Sequence, residues 1–133
     1  MAFAALGGCG SSRDPVGNLI AADDPLVAAA ERRRFTTGAT ASRSLTAAPT
    51  TIDLAARTIE TWAFDGVVPG PLLRANVGDM IEVTLANGLA EDTTIHWHGL
   101  ALRNDMDGVH GLTQDPIAPG SRSTYRFVAH SIA

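Results

Sequence analysis

Cysteine, lysine and aromatic side chains are scarce or absent in this sequence. Its 133 residues include one cysteine, Cys9, which excludes an intramolecular disulfide. All ten basic residues are arginine and they face 14 acidic residues, so a net charge of −4 leaves no basic surface for nucleic acid. Hydrophobic residues make up 45% of the chain but form no long run, which excludes both a membrane-spanning protein and a disordered acidic tail. We therefore expect a single globular domain at most.

The amino terminus carries a possible export signal. Leu6, Gly7 and Gly8 precede Cys9, an arrangement that resembles the lipobox of bacterial lipoproteins. Only eight residues precede the cysteine, fewer than a charged n-region and an apolar h-region need. Residues 1–12 are therefore predicted to be a truncated lipoprotein-type signal, which implies export to the periplasm or cell surface with a lipid anchor at Cys9. The alternative is a small buried cysteine.

The following segment is poor in large apolar residues. Residues 13–50 are predicted to be a largely disordered linker, because small and hydroxyl side chains offer little apolar area to offset the entropy of ordering. Within it, the alanine-rich stretch from Leu26 to Phe35 favours two or three helical turns.

After Thr51 the pattern changes to short alternating runs separated by Gly, Pro and Asn. This texture is typical of an all-β sandwich or barrel. In residues 80–86, for example, Ile81, Val83 and Leu85 share one face and polar residues share the other. Strands are predicted at 57–64, 80–86, 93–98 and 122–128.

The residues that suggest chemistry lie in Thr94-Ile-His-Trp-His-Gly99. On a strand, side chains at i and i+2 point to the same face, so His96 and His98 are predicted to project side by side. Two imidazoles on one face form a pair of metal ligands that suits copper, zinc, iron or nickel. Taken in isolation, a His-x-His pair is a weak signal that more often marks two ordinary half-exposed histidines than a metal site.

Residues 64–127 resemble the first cupredoxin domain of the multicopper oxidases, the family that includes laccases and bacterial copper-tolerance oxidases. The matching blocks occur in order along the chain: Asp65-Gly-Val-Val-Pro-Gly-Pro-Leu-Leu-Arg74, Val77-Gly-Asp79, the strand ending at Asn87, His96-Trp-His-Gly99, Asp107-Gly-Val-His-Gly-Leu-Thr-Gln114 and Pro116-Ile-Ala-Pro-Gly120. The resemblance implies a cupredoxin-like Greek-key β-sandwich over residues 51–133, a partial N-terminal plastocyanin-like domain that is incomplete at its C-terminal end.

The same resemblance implies copper as the cofactor and a share in a trinuclear centre that reduces dioxygen to water with electrons from a small reducing substrate. His96 would bind the type 2 copper and His98 one copper of the type 3 pair. Asp107 stands where the family places an acidic residue that relays protons, although an aspartate before Gly108 also suits a simple turn.

The sequence also departs from the family pattern. His110 occupies a position where the family usually has proline, and we expect it to face solvent. His130 comes too early for the family's second His-x-His motif, so it is not expected to bind metal. Cys9 is the only cysteine, so a type 1 copper site is not expected. The chain is therefore predicted to be inactive alone, with further cupredoxin domains or another subunit completing the copper site.

Three alternatives remain open at this stage. The chain could be a small exported copper-binding module without enzymatic activity, in which the histidine pair holds one ion weakly. It could also be a cupredoxin-like scaffold that has lost copper, although both histidines are present. Copper nitrite reductases share the fold but fit these motifs less well.

Overall fold

The computed structural model describes residues 20–130, and the predicted signal with its possible anchor at Cys9 lies outside them. One short helix, one 3₁₀ turn and four strands make up the regular structure. Their bounds are α1 Pro25–Glu31, β1 Thr40–Leu54, β2 Arg57–Phe64, β3 Met80–Asn87, a 3₁₀ turn Asn104–Met106 and β4 Arg122–Val128. The predictions of β2, β3 and β4 are confirmed, and α1 confirms a short helix in the alanine-rich stretch.

The four strands form one open sheet with the order β2-β1-β3-β4. The long strand β1 changes neighbour along its length, because residues 40–47 pair in parallel with β3 and residues 47–54 pair antiparallel with β2. β3 also pairs antiparallel with β4. The sheet consequently has a three-stranded part and a two-stranded hairpin arm, which we define as residues 48–63.

The core lies on one face of the three-stranded part. Ile81 and Val83 of β3 lie opposite Phe127 and Tyr125 of β4, and these four side chains are buried together with Leu85. Side chains beyond β3 and β4 complete the same cluster: Ala47, Leu89 and Ile117. The alternation read from the sequence therefore identifies the core face correctly, as expected for a sheet with one packed side.

The prediction of a disordered linker up to residue 50 is wrong for residues 40–50, which belong to β1. Their side chains are small, but strand formation depends on main-chain pairing, and β1 is paired along its whole length. Leu45 packs against the core and Ala47 is buried within it. The folded domain therefore begins before the predicted boundary at residue 51.

A buried carboxylate connects the start of β1 to the start of β3. Asp79 accepts hydrogen bonds from the Thr37 hydroxyl at 2.5 Å, the Asn76 amide at 2.8 Å and the Asn76 side chain at 3.1 Å. The hydrogen bond from Thr37, followed by that from the Asn76 amide, lowers the pKa of Asp79 below its usual value. These hydrogen bonds connect the turn at Gly78-Asp79 to Thr37, which lies before β1.

A second buried polar residue, Asn87, organises the loops at the other end of β3. Its side-chain nitrogen donates to the carbonyls of Glu91 at 2.8 Å and Ile117 at 2.7 Å, and its oxygen accepts from the Leu89 amide at 2.9 Å. These bonds satisfy the buried amide and hold together the loops before and after residues 93–98, which we call the histidine segment.

In the part of the chain that the structure describes, no helix is long and apolar enough to cross a membrane.

Candidate metal centre

The histidine segment is not a regular strand, so the prediction of a strand at residues 93–98 is wrong. Only Thr93 pairs, with Ile117, through main-chain hydrogen bonds of 3.1 and 2.8 Å. Within residues 20–130, no other segment forms a ladder with residues 94–98, and alternation alone does not make a strand without a partner. The alternation itself holds, because Ile95 and Trp97 pack against the core while His96 and His98 are exposed.

Packing on β4 holds this irregular segment in place. The Trp97 ring meets Tyr125 and Phe127 edge to face, with ring centroids 5.7 and 5.0 Å apart. The Tyr125 hydroxyl accepts a hydrogen bond from the Ile95 amide at 3.0 Å. The residues on both sides of His96 are therefore fixed to the same tyrosine.

His96 and His98 lie next to each other, as the motif predicts. Their ring centroids are 5.9 Å apart and their planes are inclined by 75°. His96 Nδ1 lies 2.9 Å from the carbonyl oxygen of Asp107. Because a carbonyl can only accept, Nδ1 carries the proton in this contact, and in the neutral imidazole Nε2 then keeps its lone pair. The hydrogen bond thus prepares His96 to bind a metal ion through Nε2.

Asp107 lies directly after the 3₁₀ turn and faces the same imidazole. Its carboxylate oxygen Oδ1 is 3.5 Å from His96 Nδ1, farther than its main-chain oxygen. The turn is attached to β4 because the Arg126 amide donates to the Met106 sulfur at 3.3 Å. The structure therefore brings together the three residues predicted to form the site: His96, His98 and Asp107.

Gly108 explains how the Asp107 carbonyl reaches His96. Gly108 is buried and has a φ of 75°, and a Cβ atom there would lie 1.7 Å from the Ile95 oxygen and 3.2 Å from the His96 nitrogen. The chain can approach this closely only without a side chain. The sequence reading noticed Gly108 as a turn residue but missed this contact, and it missed the Tyr125 hydroxyl. The Asp-Gly pair and the alternating Tyr125 and Phe127 are the signals from which they could have been found.

The other two histidines lie elsewhere. His110 is exposed, as predicted, and forms an isolated bridge with Gln114. His130 lines a pocket together with Trp97 and Ile81, and its Nε2 atom is buried without a hydrogen-bond partner among the described residues. No group of three or more His, Cys, Asp or Glu residues within 20–130 is arranged to hold a metal ion.

The donor set fits part of a copper site. Imidazole ligands suit copper, and the hydrogen bond from Nδ1 leaves His96 Nε2 as the nitrogen available to bind it. Two ligands are fewer than a closed site of the structural type uses. The residues present are therefore suited to a centre that other ligands complete.

Comparison with known proteins gives a consistent result. A family model described as multicopper oxidase matches residues 46–133. The multicopper oxidase MmcO of Mycobacterium tuberculosis is 43% identical over 123 residues, which cover 92% of this chain and 24% of that protein. A copper resistance protein A homolog of Pseudomonas syringae is 42% identical over 83 residues, which cover 62% of this chain and 14% of that protein.

Solved structures agree with this match. The laccase from Botrytis aclada superposes with a TM-score of 0.68 at 35% identity, over 83% of this chain and 20% of that one. The multicopper oxidase from Pseudomonas thermotolerans superposes with a TM-score of 0.66 at 37% identity, over 70% of this chain and 23% of that one. The four-stranded sheet is thus part of a cupredoxin-like, all-β domain.

The chain belongs to the multicopper oxidase family. Membership makes copper the expected cofactor, with dioxygen and a reducing substrate as the reactants of the family. The chain spans about a quarter or less of the length of these two curated relatives.

Proposed function

We propose that this chain supplies one His-x-His motif to the trinuclear copper centre of an exported, laccase-like multicopper oxidase. In that enzyme, copper would carry the one-electron chemistry that couples oxidation of a small substrate to reduction of dioxygen to water. His96 would bind the type 2 copper and His98 a type 3 copper. The lipid anchor at Cys9 is part of the same proposal and lies outside the described residues.

The observation that carries the proposal is the hydrogen bond between His96 Nδ1 and the Asp107 carbonyl. Here the ring is oriented, Nε2 is left free to bind, and a second imidazole stands 5.9 Å away between ring centroids. This arrangement supports a pair of ligands held ready for copper.

Asp107 contributes a carboxylate next to the proposed ligands. Its Oδ1 atom lies 3.5 Å from His96 Nδ1, and the side chain is only partly buried, so it can exchange protons with water. A carboxylate in this place can accept and release protons beside the histidine pair while oxygen is reduced. The main-chain oxygen orients the imidazole, and the side chain would move protons.

The chain is proposed to be inactive alone. The family centre takes its histidines from four His-x-His motifs in two domains, and residues 20–130 contain one such motif, His96-Trp-His98. Further cupredoxin domains or another subunit would provide the remaining ligands.

The test is copper binding by the 133-residue chain, measured by Cu(II) titration with electron paramagnetic resonance. We expect weak binding that falls at least tenfold in both His96→Ala and His98→Ala. His110→Ala is the matched control, because His110 is also exposed and lies apart from the pair. Oxygen uptake with a phenolic electron donor should stay at background.

Binding that survives in a double variant lacking both His96 and His98 would overturn the assignment of the ligands. Tight one-to-one binding without oxygen uptake would instead favour a copper-binding module that has no enzymatic partner. Oxygen uptake by the chain alone would show that it does not need further ligands.

A further inference from the structure

We propose that Tyr125 and Gly108 are positioning residues for His96, acting through the main chain of Ile95. This inference deepens the proposed function and rests on it, because it concerns the presentation of the same imidazole. Neither residue would touch the metal. Their task is to fix where the ring stands and which of its nitrogens carries the proton.

Tyr125 acts from the sheet. It lies in β4 opposite Val83, it is 1% exposed, and its hydroxyl accepts the Ile95 amide proton at 3.0 Å. A phenylalanine would fill the same volume in the core, so the oxygen serves this hydrogen bond rather than packing. The hydroxyl thus anchors the residue directly before His96.

Gly108 acts from the turn. Its α-carbon lies against the peptide between Ile95 and His96. A Cβ atom at this position would lie 1.7 Å from the Ile95 oxygen, so no side chain fits. This contact sets the distance between the turn and the histidine segment. The preceding carbonyl, that of Asp107, reaches His96 Nδ1 only because the two backbones lie so close.

The two contacts replace the strand pairing that the segment lacks. Within the described residues, the segment pairs as a strand only at Thr93, so main-chain hydrogen bonds of a sheet do not hold His96. The tyrosine hydroxyl and the close approach of the glycine hold the Ile95 peptide groups instead. Loss of either contact should let the imidazole move away from the Asp107 carbonyl, so that the proton is no longer held on Nδ1.

The experiment compares Tyr125→Phe and Gly108→Ala with the parent chain by two measurements. Long-range ¹H–¹⁵N NMR of the metal-free chain at mildly alkaline pH reports which nitrogen of His96 is protonated. Cu(II) titration then gives the affinity. We expect the parent to have the proton on Nδ1, and both variants to give a mixture of tautomers with an affinity about 10- to 100-fold weaker.

Thr124→Val is the matched control. Thr124 precedes Tyr125 in β4 and also loses one hydroxyl, which pairs with the Thr84 hydroxyl at 2.9 Å on the exposed face. It should keep both the tautomer and the affinity of the parent. Because the alanine variant can fail to fold, the phenylalanine variant, which keeps the core volume, decides whether the Ile95 main chain positions His96.

An unchanged His96 tautomer in a folded Tyr125→Phe chain would overturn the proposed role of Tyr125, and the same result in a folded Gly108→Ala chain would overturn that of Gly108. A parent chain that binds no Cu(II) would instead contradict the proposed function, while the NMR comparison still tests the positioning. The two failures are therefore distinguishable.

Discussion

The three-stranded part of the sheet and the hairpin arm are both built from alternating strand residues, yet only the first has a core. Ile81, Val83 and Leu85 of β3 are buried, whereas in the arm, residues 48–63, Ala63 is the single buried residue. Large apolar side chains in the arm, such as Trp62 at 54% exposure, face outward. Alternation therefore predicts a strand, but burial depends on what covers its face.

The candidate metal centre is attached only to the three-stranded part of the sheet, which we call the packed part because it carries the core. Tyr125 and Arg126 of β4 hold the histidine segment and the 3₁₀ turn, and Ile117 pairs with Thr93 at the base of the segment. Every contact described for His96 leads back to β4 or to the loops tied by Asn87. The rigid scaffold for the site is thus the packed part, and the arm can change without disturbing it.

The largest expected effect comes from emptying the core under this scaffold. Leu85 is fully buried, and Leu85→Ala should lower the free energy of unfolding by about 2–5 kcal/mol, because it removes apolar contacts and leaves a cavity. Leu54→Ala is the matched change in the arm, where Leu54 is 59% exposed, and should cost less than about 0.5 kcal/mol. Urea denaturation of both variants measures the difference, and equal losses would refute the division into two parts.

Next in size is the loss of a buried polar junction. Asn87→Ala removes three side-chain hydrogen bonds and leaves the Glu91 carbonyl and the Leu89 amide without this partner, while the Ile117 carbonyl keeps its bond from the Thr93 amide; the loss should cost about 1–3 kcal/mol. In the arm, Thr58→Val removes the exposed hydrogen bond to Asp53 and should change stability by less than about 0.5 kcal/mol. Equal denaturation midpoints for the two variants would show that Asn87 does not hold the loops together.

The sequence allowed the packed part to be predicted better than the rest. The alternation in β3 and β4 reports a buried face directly, so their bounds follow from side chains. β1 was missed because its first half is stabilised by main-chain pairing and by little side-chain area, which composition does not reveal. The segment at 93–98 was assigned as a strand because its side chains alternate, while its missing neighbours are not visible in a sequence.

The same distinction applies to the site. The proximity of His96, His98 and Asp107 could be predicted from spacing and from resemblance to a family. The proposed roles of Gly108 and Tyr125 depend on their contacts with Ile95. Gly108 lies 13 positions after Ile95 in the sequence, and Tyr125 lies 30 positions after it. Such contacts are set by how the loops fold back on the sheet, so a motif does not contain them.

A smaller effect should appear at acid pH, where Asp79 ties the segment before β1 to the packed part. Its folded-state pKa lies below the ordinary value of 3.8, so the unfolded chain binds its proton first as the pH falls. The stabilisation is complete above the unfolded pKa and is lost as pH falls through the folded pKa. Asp79→Asn should therefore flatten the decline in stability below about pH 4, measured by urea denaturation at a series of pH values.

Thr37→Val tests the same contact from the donor side. It removes the hydrogen bond that lowers the pKa of Asp79 most, so it should also flatten the decline in stability at acid pH. The effect should be smaller than that of Asp79→Asn, because the hydrogen bonds from Asn76 remain. Acid curves that run parallel to the parent for both variants would show that Asp79 does not link pH to stability.

The smallest effect is expected on the exposed face of the packed part, and it sharpens the comparison by separating position in the sheet from burial. Arg126 Nε lies 2.9 Å from Glu82 Oε2 across β3 and β4, but the Arg126 side chain is 62% exposed and the Glu82 side chain 35% exposed, so water screens the pair. A double-mutant cycle with Arg126→Gln and Glu82→Gln should give a coupling of about 0.2–1 kcal/mol that shrinks as salt is added. A coupling well above that range, or one insensitive to salt, would mean that this ion pair on the exposed face stabilises the sheet as a buried interaction would.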